Sequence, residues 1–248
     1  MMVLLWPSVF SLMQRLIWVQ IFLAVGAAFG MGIHFMRHAG GVAGRGSWWP
    51  LLHFAKPSLV IGLLSPLSAL LMRRLLAEGL SWREVGMIQA QWRVTDWVMA
   101  LASGVMAIRY LPLLSAELST ATFFRLLRQM ALVTLLPGAF FLLGYLWFQN
   151  SLLVFFYQVD FALSTRAAAL FLLGDWVRII SWIFLYALFA RRQTWAIAVG
   201  EFLSIPLFVT LVWLSPSPMN PVFVAELWLV SYCVYAIFNG FMVMRSSP

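Results

Sequence analysis

The stretch that decides the fold is Arg166–Ala190, RAAALFLLGDWVRIISWIFLYALFA. It is long and apolar enough to cross a bilayer as a helix, which takes about 20 residues. It nevertheless carries Asp175 and Arg178 near its middle. An ionised side chain at that depth costs roughly 2.5 to 3.5 kcal/mol even on the insertion scale, so such residues usually face a bundle interior or a wet cavity. The stretch therefore predicts one span of a polytopic membrane protein with a polar interior, and transport is the function expected first.

The composition of the whole chain supports a membrane protein. The 248 residues are 63% hydrophobic and 10% charged, whereas soluble domains carry about 25% charged residues. The net charge of +8 is expected from arginines in cytoplasmic loops, and we expect no nucleic-acid partner. Cys233 is the single cysteine, and the three histidines lack ligand spacing, so neither a disulfide nor a metal site is predicted. The sequence holds no catalytic motif, and we expect neither an enzyme nor a cofactor.

Seven stretches qualify as spans by length and hydropathy, and the prediction is an all-α membrane protein. A domain of residues 1–49 would hold an apolar segment, one span and a cytoplasmic link, and residues 50–248 would form a six-helix lobe. Ser151–Tyr157 is predicted to be an interfacial or re-entrant piece. Pro66, Pro137 and Pro206 fall inside spans and should kink or break them. The predicted spans are Leu16–Ile33, Pro50–Met72, Gly86–Leu111, Met130–Phe148, Arg166–Ala190, Trp195–Leu214 and Val222–Met244.

The distribution of arginines predicts the orientation. The links that would share a side with the C-terminal tail hold more arginines than the opposite set, so the C-terminus is expected to be cytoplasmic. An odd number of spans then leaves the N-terminus periplasmic, which suggests that part of a longer protein precedes Met1.

Charged residues recur inside the other predicted spans. Gln89, Arg93 and Asp96 follow one another at i, i+4 and i+7, which places them on one helix face. Arg93 and Asp96 could pair locally and only fix helix packing, or Arg93 could face a cavity and attract an anionic group. Glu201 lacks a local partner and is expected either to pair, for example with Arg178, or to take part in proton coupling. Glu226 raises the same two alternatives.

Several collinear motifs resemble one known family. The stretches Met72–Ala77 and Ser81–Gln89 are similar to its MRNLLA and SWxEVGxWQ patterns, and Tyr110–Ser115 resembles its LPxLS helix exit. Further along, Leu173–Arg178 resembles its GDxxK element. Further positions lie in register with the family pattern: Thr95-Asp96, Tyr186–Ala190, Gly200–Phe202, Tyr232 and Tyr235. The family is that of Wzx-type flippases for lipid-linked oligosaccharides of enterobacterial common antigen and O-antigen.

The resemblance implies the multidrug/oligosaccharidyl-lipid/polysaccharide exporter superfamily, whose members have twelve spans in two lobes around a central cavity. This chain resembles only the sixth span and the C-terminal six-helix lobe. It departs from the pattern at three charged positions: Arg93 replaces a small polar residue, Arg178 replaces Lys, and Glu226 replaces Gln.

The expected function is therefore translocation of an undecaprenyl-diphosphate-linked oligosaccharide across the bacterial inner membrane. The expected partners are the lipid-linked oligosaccharide, membrane lipids, and an N-terminal lobe on another chain or other polysaccharide-assembly proteins. Two alternatives are a nonfunctional or partner-requiring half-lobe and a membrane-bound polysaccharide polymerase or ligase. The predicted cavity or gating residues are Arg93, Asp96, Asp175, Arg178 and Glu201.

Overall fold

The structure is a computed structural model that describes residue 64 and residues 67–116, 119–157, 162–216 and 218–245. Within these ranges the chain is helical and holds no strand. All of them belong to one of the chain's two compact units, Phe54–Pro248. The helices are α1 (67–79), α2 (Trp82–Val105), a π-helix (Met106–Tyr110), α3 (Leu111–Leu114), α4 (Thr120–Tyr157), α5 (Thr165–Ala190), α6 (Thr194–Phe202), α7 (Ile205–Trp213) and α8 (Pro221–Arg245).

Five helical stretches in the described residues are long and apolar enough to cross a membrane. They correspond to the five spans predicted from Gly86 onward, and those predictions are confirmed as helices. The predicted span Leu16–Ile33, most of Pro50–Met72 including the predicted kink or break at Pro66, and the predicted domain 1–49 lie outside the described residues. The five stretches are Trp82–Leu114, Thr120–Phe155, Thr165–Ala190, Thr194–Trp213 and Pro221–Arg245.

The outer surface of these helices is apolar. Trp147, Ile108 and Phe140 are each more than 80% exposed. Soluble monomers rarely expose contiguous apolar surface of this kind, whereas a lipid-facing surface is made of it. The described helices thus form a bundle suited to a membrane.

Two predictions about α4 are wrong in part: Ser151–Tyr157 is not a separate re-entrant piece, and Pro137 does not break the helix. Ser151–Tyr157 is the final part of α4, an unbroken helix of 38 residues, because no Pro or Gly separates it from the preceding turns. The Gln149 side chain there donates to the Leu163 carbonyl at 3.5 Å, so a polar residue near the helix end finds a partner. Pro137 does not break α4 either, and the helix continues through it.

The predicted break at Pro206 is confirmed. The span Thr194–Trp213 consists of two nine-residue helices, α6 and α7, joined through Leu203 and Ser204. Proline has no N–H, so the Phe202 carbonyl loses its α-helical donor. The Ser204 hydroxyl donates to the Glu201 carbonyl at 2.7 Å and caps part of the opened turn. A discontinuous helix of this kind is tolerated at membrane depth where it is buried in protein or lines a cavity.

Helices α5 and α8 form the centre of the bundle. A Cβ on Gly174 would lie 2.5 Å from Trp228 Cδ1, so α5 and α8 approach each other closely at this glycine. Trp228 also packs against the rings of Trp92 and Phe208, with centroids 4.9 and 5.1 Å away. This aromatic cluster ties α2, α5, α7 and α8 together and leaves little freedom to the polar residues beside it.

The two ends of the bundle differ in charge. Helices α2, α5 and α8 begin at the same end of the bundle, because the residues before them, Ser81, Ser164 and Asn220, line one open pocket of ≈ 940 Å³. We call this the Trp82 end. At the opposite, Arg191 end, the Arg191 guanidinium lies 3.9 Å from the Phe123 ring centroid. Among the described residues, the Arg191 end holds six arginines and no acid: Arg109, Arg125, Arg128, Arg191, Arg192 and Arg245. The Trp82 end mixes Arg73, Arg74, Arg83 and Arg166 with Glu78, Glu84 and Glu226.

Candidate functional site

Arg178 lies near the midpoint of α5, about 20 Å from either end at 1.5 Å per residue. Its side chain is 16% exposed. The guanidinium carbon lies 4.8 Å from the Trp182 ring centroid and 5.6 Å from that of Tyr232. Aromatic faces attract a guanidinium electrostatically and more strongly when water is excluded. Its Nε is buried and makes no hydrogen bond to any described residue, so a donor of this cation is unused.

Asp96 is the ion-pair partner of Arg178. The distance from Arg178 Nη1 to Asp96 Oδ1 is 3.7 Å, which is long for a hydrogen bond and makes this a loose pair. The predicted local pair between Arg93 and Asp96 gives way to this contact between α2 and α5. The Asp96 side chain remains 52% exposed, so it can move without unpacking the core.

Asp175 has a different environment from the other predicted site residues. It is fully buried and accepts a hydrogen bond from the Trp228 indole N–H at 3.2 Å. The guanidinium of Arg178 and the Thr95 hydroxyl are its other polar neighbours. Asp175 thus joins α5 to α8 and places a carboxylate near the Arg178 guanidinium. It does not line the cavities described below.

A first cavity of ≈ 200 Å³ lies on the Trp82 side of Arg178. We call it the arginine cavity, because Arg73, Arg93 and Arg178 line it and Asp96 is the only acid among its described lining residues. Gln89 shares this wall, so the predicted one-face arrangement of Gln89, Arg93 and Asp96 is confirmed. The cavity has a net positive charge and many hydrogen-bond donors.

A second cavity of ≈ 230 Å³ lies on the Arg191 side of Arg178. We call it the aromatic cavity, since Trp182, Tyr186, Phe189, Tyr232 and Tyr235 line it together with Glu201 and Ser103. Tyr235 donates its hydroxyl to Glu201 Oε1 at 3.0 Å, and Tyr186 donates to the Ser103 carbonyl at 3.3 Å. Glu201 and Arg178 face the same space, so their charges offset each other within it.

Arg178 belongs to the walls of both cavities. Apart from Arg178 and Ile205, the arginine cavity is lined by α1, by the part of α2 from Gln89 to Asp96 and by Trp228 in the Pro221 half of α8. The aromatic cavity is lined mainly by the Ala190 half of α5, and α6 and α8 contribute Glu201, Tyr232 and Tyr235. The two cavities therefore occupy opposite halves of the bundle, and the Arg178 guanidinium lies where they meet.

Sequence reasoning missed the aromatic wall. Arg178, Trp182, Tyr186 and Phe189 follow at intervals of three or four residues, so they share one face of α5. That spacing was available in the sequence, but aromatic residues in a span are more often packing or interfacial residues. Glu226 also has a partner that local spacing could not show, Arg166 Nη2, at 3.2 Å.

The structure thus brings together four of the five predicted residues, Arg93, Asp96, Arg178 and Glu201, around two adjoining cavities. Asp175 stands beside them as a buried support. No family model matches this chain, and neither a curated protein nor a solved structure is found to be similar to it.

Proposed function

We propose that this chain is one lobe of a transporter that moves a lipid-linked oligosaccharide diphosphate from the cytoplasmic to the periplasmic leaflet of a bacterial inner membrane. The observation that carries the proposal is the arginine cavity, which three arginines line together with a single described acid, Asp96. The resemblance to Wzx-type flippases supports the same substrate class. The proposed activity is translocation without a chemical step.

The arginine cavity fits a diphosphate group. A guanidinium offers a planar fork of donors that matches phosphate oxygens in a bidentate manner. Arg93 is exposed to the cavity, and Arg178 has a buried Nε without a partner among the described residues. An anion that enters can replace Asp96 at Arg178, since their contact at 3.7 Å is loose. The cavity would replace part of the hydration that a phosphate loses inside a membrane.

The charge difference between the ends supports an orientation. Basic residues are enriched on the cytoplasmic side of inner-membrane proteins, and the Arg191 end carries six arginines without an acid in its described part. We therefore place this end and Arg245 of the C-terminal helix in the cytoplasm. The aromatic cavity then lies in the cytoplasmic half and the arginine cavity in the periplasmic half.

The exposure of Asp96 supports the need for a partner. Its side chain is 52% exposed although it lies about 20 Å along α2. A carboxylate at that depth is not tolerated against lipid. We propose that a second lobe, on another chain or on further sequence of the same protein, covers this face and encloses the water-filled path.

Reconstituted transport tests the proposed function. The full chain, with a co-purifying lobe where one is present, is placed in liposomes that carry a fluorescent isoprenyl-diphosphate sugar, and loss of fluorescence to an external reductant reports flipping. Removing a hydrogen bond to a charged group costs about 1.5 to 3 kcal/mol, so Arg93→Gln and Arg178→Gln should slow transfer roughly ten- to hundred-fold.

The matched control is Arg128→Gln, which removes the same charge from an exposed site of α4 outside both cavities. This variant should transfer lipid at the wild-type rate. Wild-type transfer by Arg178→Gln, or equal slowing by Arg128→Gln, would contradict a specific role for the arginine cavity.

A further inference from the structure

The aromatic cavity differs from the arginine cavity in its charge. Arg178 and Glu201 are the only basic and acidic residues among its described lining residues, and they are of opposite sign. An anion entering this space meets the Glu201 carboxylate, and a cation meets the Arg178 guanidinium. The charge content therefore favours an uncharged ligand that offers hydrogen-bonding groups to both.

The size of the aromatic cavity limits that ligand to one small ring. Its volume is ≈ 230 Å³, whereas pockets for drug-sized ligands measure about 300–1,000 Å³. An extended oligosaccharide or a folded peptide segment does not fit in this volume. One sugar residue of a longer chain does.

The lining groups match the two kinds of surface on a sugar ring, its apolar C–H face and its hydroxyl groups. Trp182, Tyr186 and Phe189 lie along one face of α5 and offer apolar ring surface to the C–H face of a pyranose. One face of Trp182 is taken by Arg178 at 4.8 Å. Glu201 Oε1 accepts from Tyr235 at 3.0 Å, and a carboxylate has further lone pairs that accept from hydroxyl groups.

We propose that the aromatic cavity is a subsite for a single uncharged sugar ring, in which Glu201 accepts sugar hydroxyls and the aromatic face of α5 packs on the ring. This inference rests on the proposed function, because it assigns the sugar adjoining the diphosphate to the cytoplasmic half of the path. Arg178 then lies between the sugar and the phosphates. Specificity for the first sugar would come from Glu201, and affinity for the diphosphate from Arg93 and Arg178.

Saturation-transfer NMR with soluble probes tests the subsite apart from transport. The purified full chain in nanodiscs is titrated with methyl glycosides of glucose and N-acetylglucosamine, with glucuronic acid, and with tetraethylammonium. We expect saturable millimolar binding of at least one neutral glycoside and weaker binding of the anionic and cationic probes. Glu201→Gln should weaken glycoside binding about ten-fold, and Phe189→Ala, a change at the exposed rim, several-fold.

Glu226→Gln is the matched control, since it makes the same change on α8 outside the aromatic cavity and should leave glycoside binding unchanged. Thermal unfolding of each variant checks that it is folded, and Phe189→Ala provides the test if Glu201→Gln is not. Failure of every neutral glycoside to bind overturns the subsite, as does preferred binding of tetraethylammonium, which would indicate a cation site.

The two proposals fail separately. Lipid transfer that depends on Arg93, without any glycoside binding, would leave the proposed function standing and overturn the subsite. Glycoside binding that depends on Glu201, without any lipid transfer, would support a sugar site and contradict the flippase.

Discussion

Arg178 and Asp96 form a loose ion pair between α5 and α2, with 3.7 Å between Nη1 and Oδ1. The two partners are unequal, since Arg178 is 16% exposed and Asp96 is 52% exposed. Arg178 is held on the other side by the rings of Trp182 and Tyr232. The acid is thus the partner that can leave, and the cation is the partner that stays.

Asp96→Asn should strengthen the binding of anions. The substitution removes the negative charge that competes for Arg178, and opposite charges at this separation interact by a few kcal/mol in a partly buried site. We expect a several-fold lower dissociation constant for a soluble isoprenyl diphosphate, measured by calorimetry in detergent. Glu226→Gln serves as a comparison, since Glu226 lines neither cavity, pairs with Arg166 and should not produce this gain. Weaker binding by Asp96→Asn would show that the acid belongs to the binding site itself.

The contact between Trp228 and Asp175 should be important for stability. Trp228→Phe removes the indole N–H that donates to Asp175 at 3.2 Å and leaves a fully buried carboxylate without that donor, which costs about 1 to 3 kcal/mol. A lower melting temperature in detergent is expected. Trp213→Phe, at a position that is 69% exposed, is the control and should melt near wild type. A double-mutant cycle with Asp175→Asn should show coupling between the two positions.

Pro206→Ala should impair transport without unfolding the protein. Alanine restores an N–H that the Phe202 carbonyl can accept, so α6 and α7 should join and displace Glu201 from the aromatic cavity. We expect reduced lipid transfer together with an equal or higher melting temperature. Pro137→Ala is the matched control, because Pro137 is exposed within the continuous helix α4. Normal transfer by Pro206→Ala would show that the break is not needed.

Gly174→Ala should be strongly destabilising. The added Cβ would lie 2.5 Å from Trp228 Cδ1 and 3.4 Å from the Leu229 Cα, so the central pair α5 and α8 must separate. Overpacking of this kind typically costs about 1 to 3 kcal/mol. Gly144→Ala, where a Cβ meets nothing within 4 Å, should be neutral or slightly stabilising in the same thermal melt. Equal melting temperatures for the two variants would contradict the close packing of α5 on α8.

Much of the fold could be predicted from the sequence. Spans from Gly86 onward follow from long apolar runs, because a helix of about 20 residues is needed to satisfy backbone groups in lipid. The break at Pro206 follows from a missing N–H. At Pro137 the same missing N–H produces no break, because one lost hydrogen bond in a 38-residue helix does not stop the remaining turns from forming. The continuation through Ser151–Tyr157 was missed because the polar pair Gln149-Asn150 interrupts the apolar run, whereas in the structure Gln149 finds a partner at the Leu163 carbonyl and the helix continues.

The sequence by itself determined that charges lie within membrane-spanning helices, and the cost of burying them pointed to a polar interior. Only the tertiary structure decided how they are grouped. Local spacing pairs Arg93 with Asp96, yet Asp96 contacts Arg178 and Glu201 contacts Tyr235. Contacts between helices depend on how each helix is rotated about its axis and shifted along it. The helical periodicity and the hydropathy of the sequence do not specify these two quantities. For the same reason, the placement of Arg178 between two cavities of different charge is a property of the packed bundle.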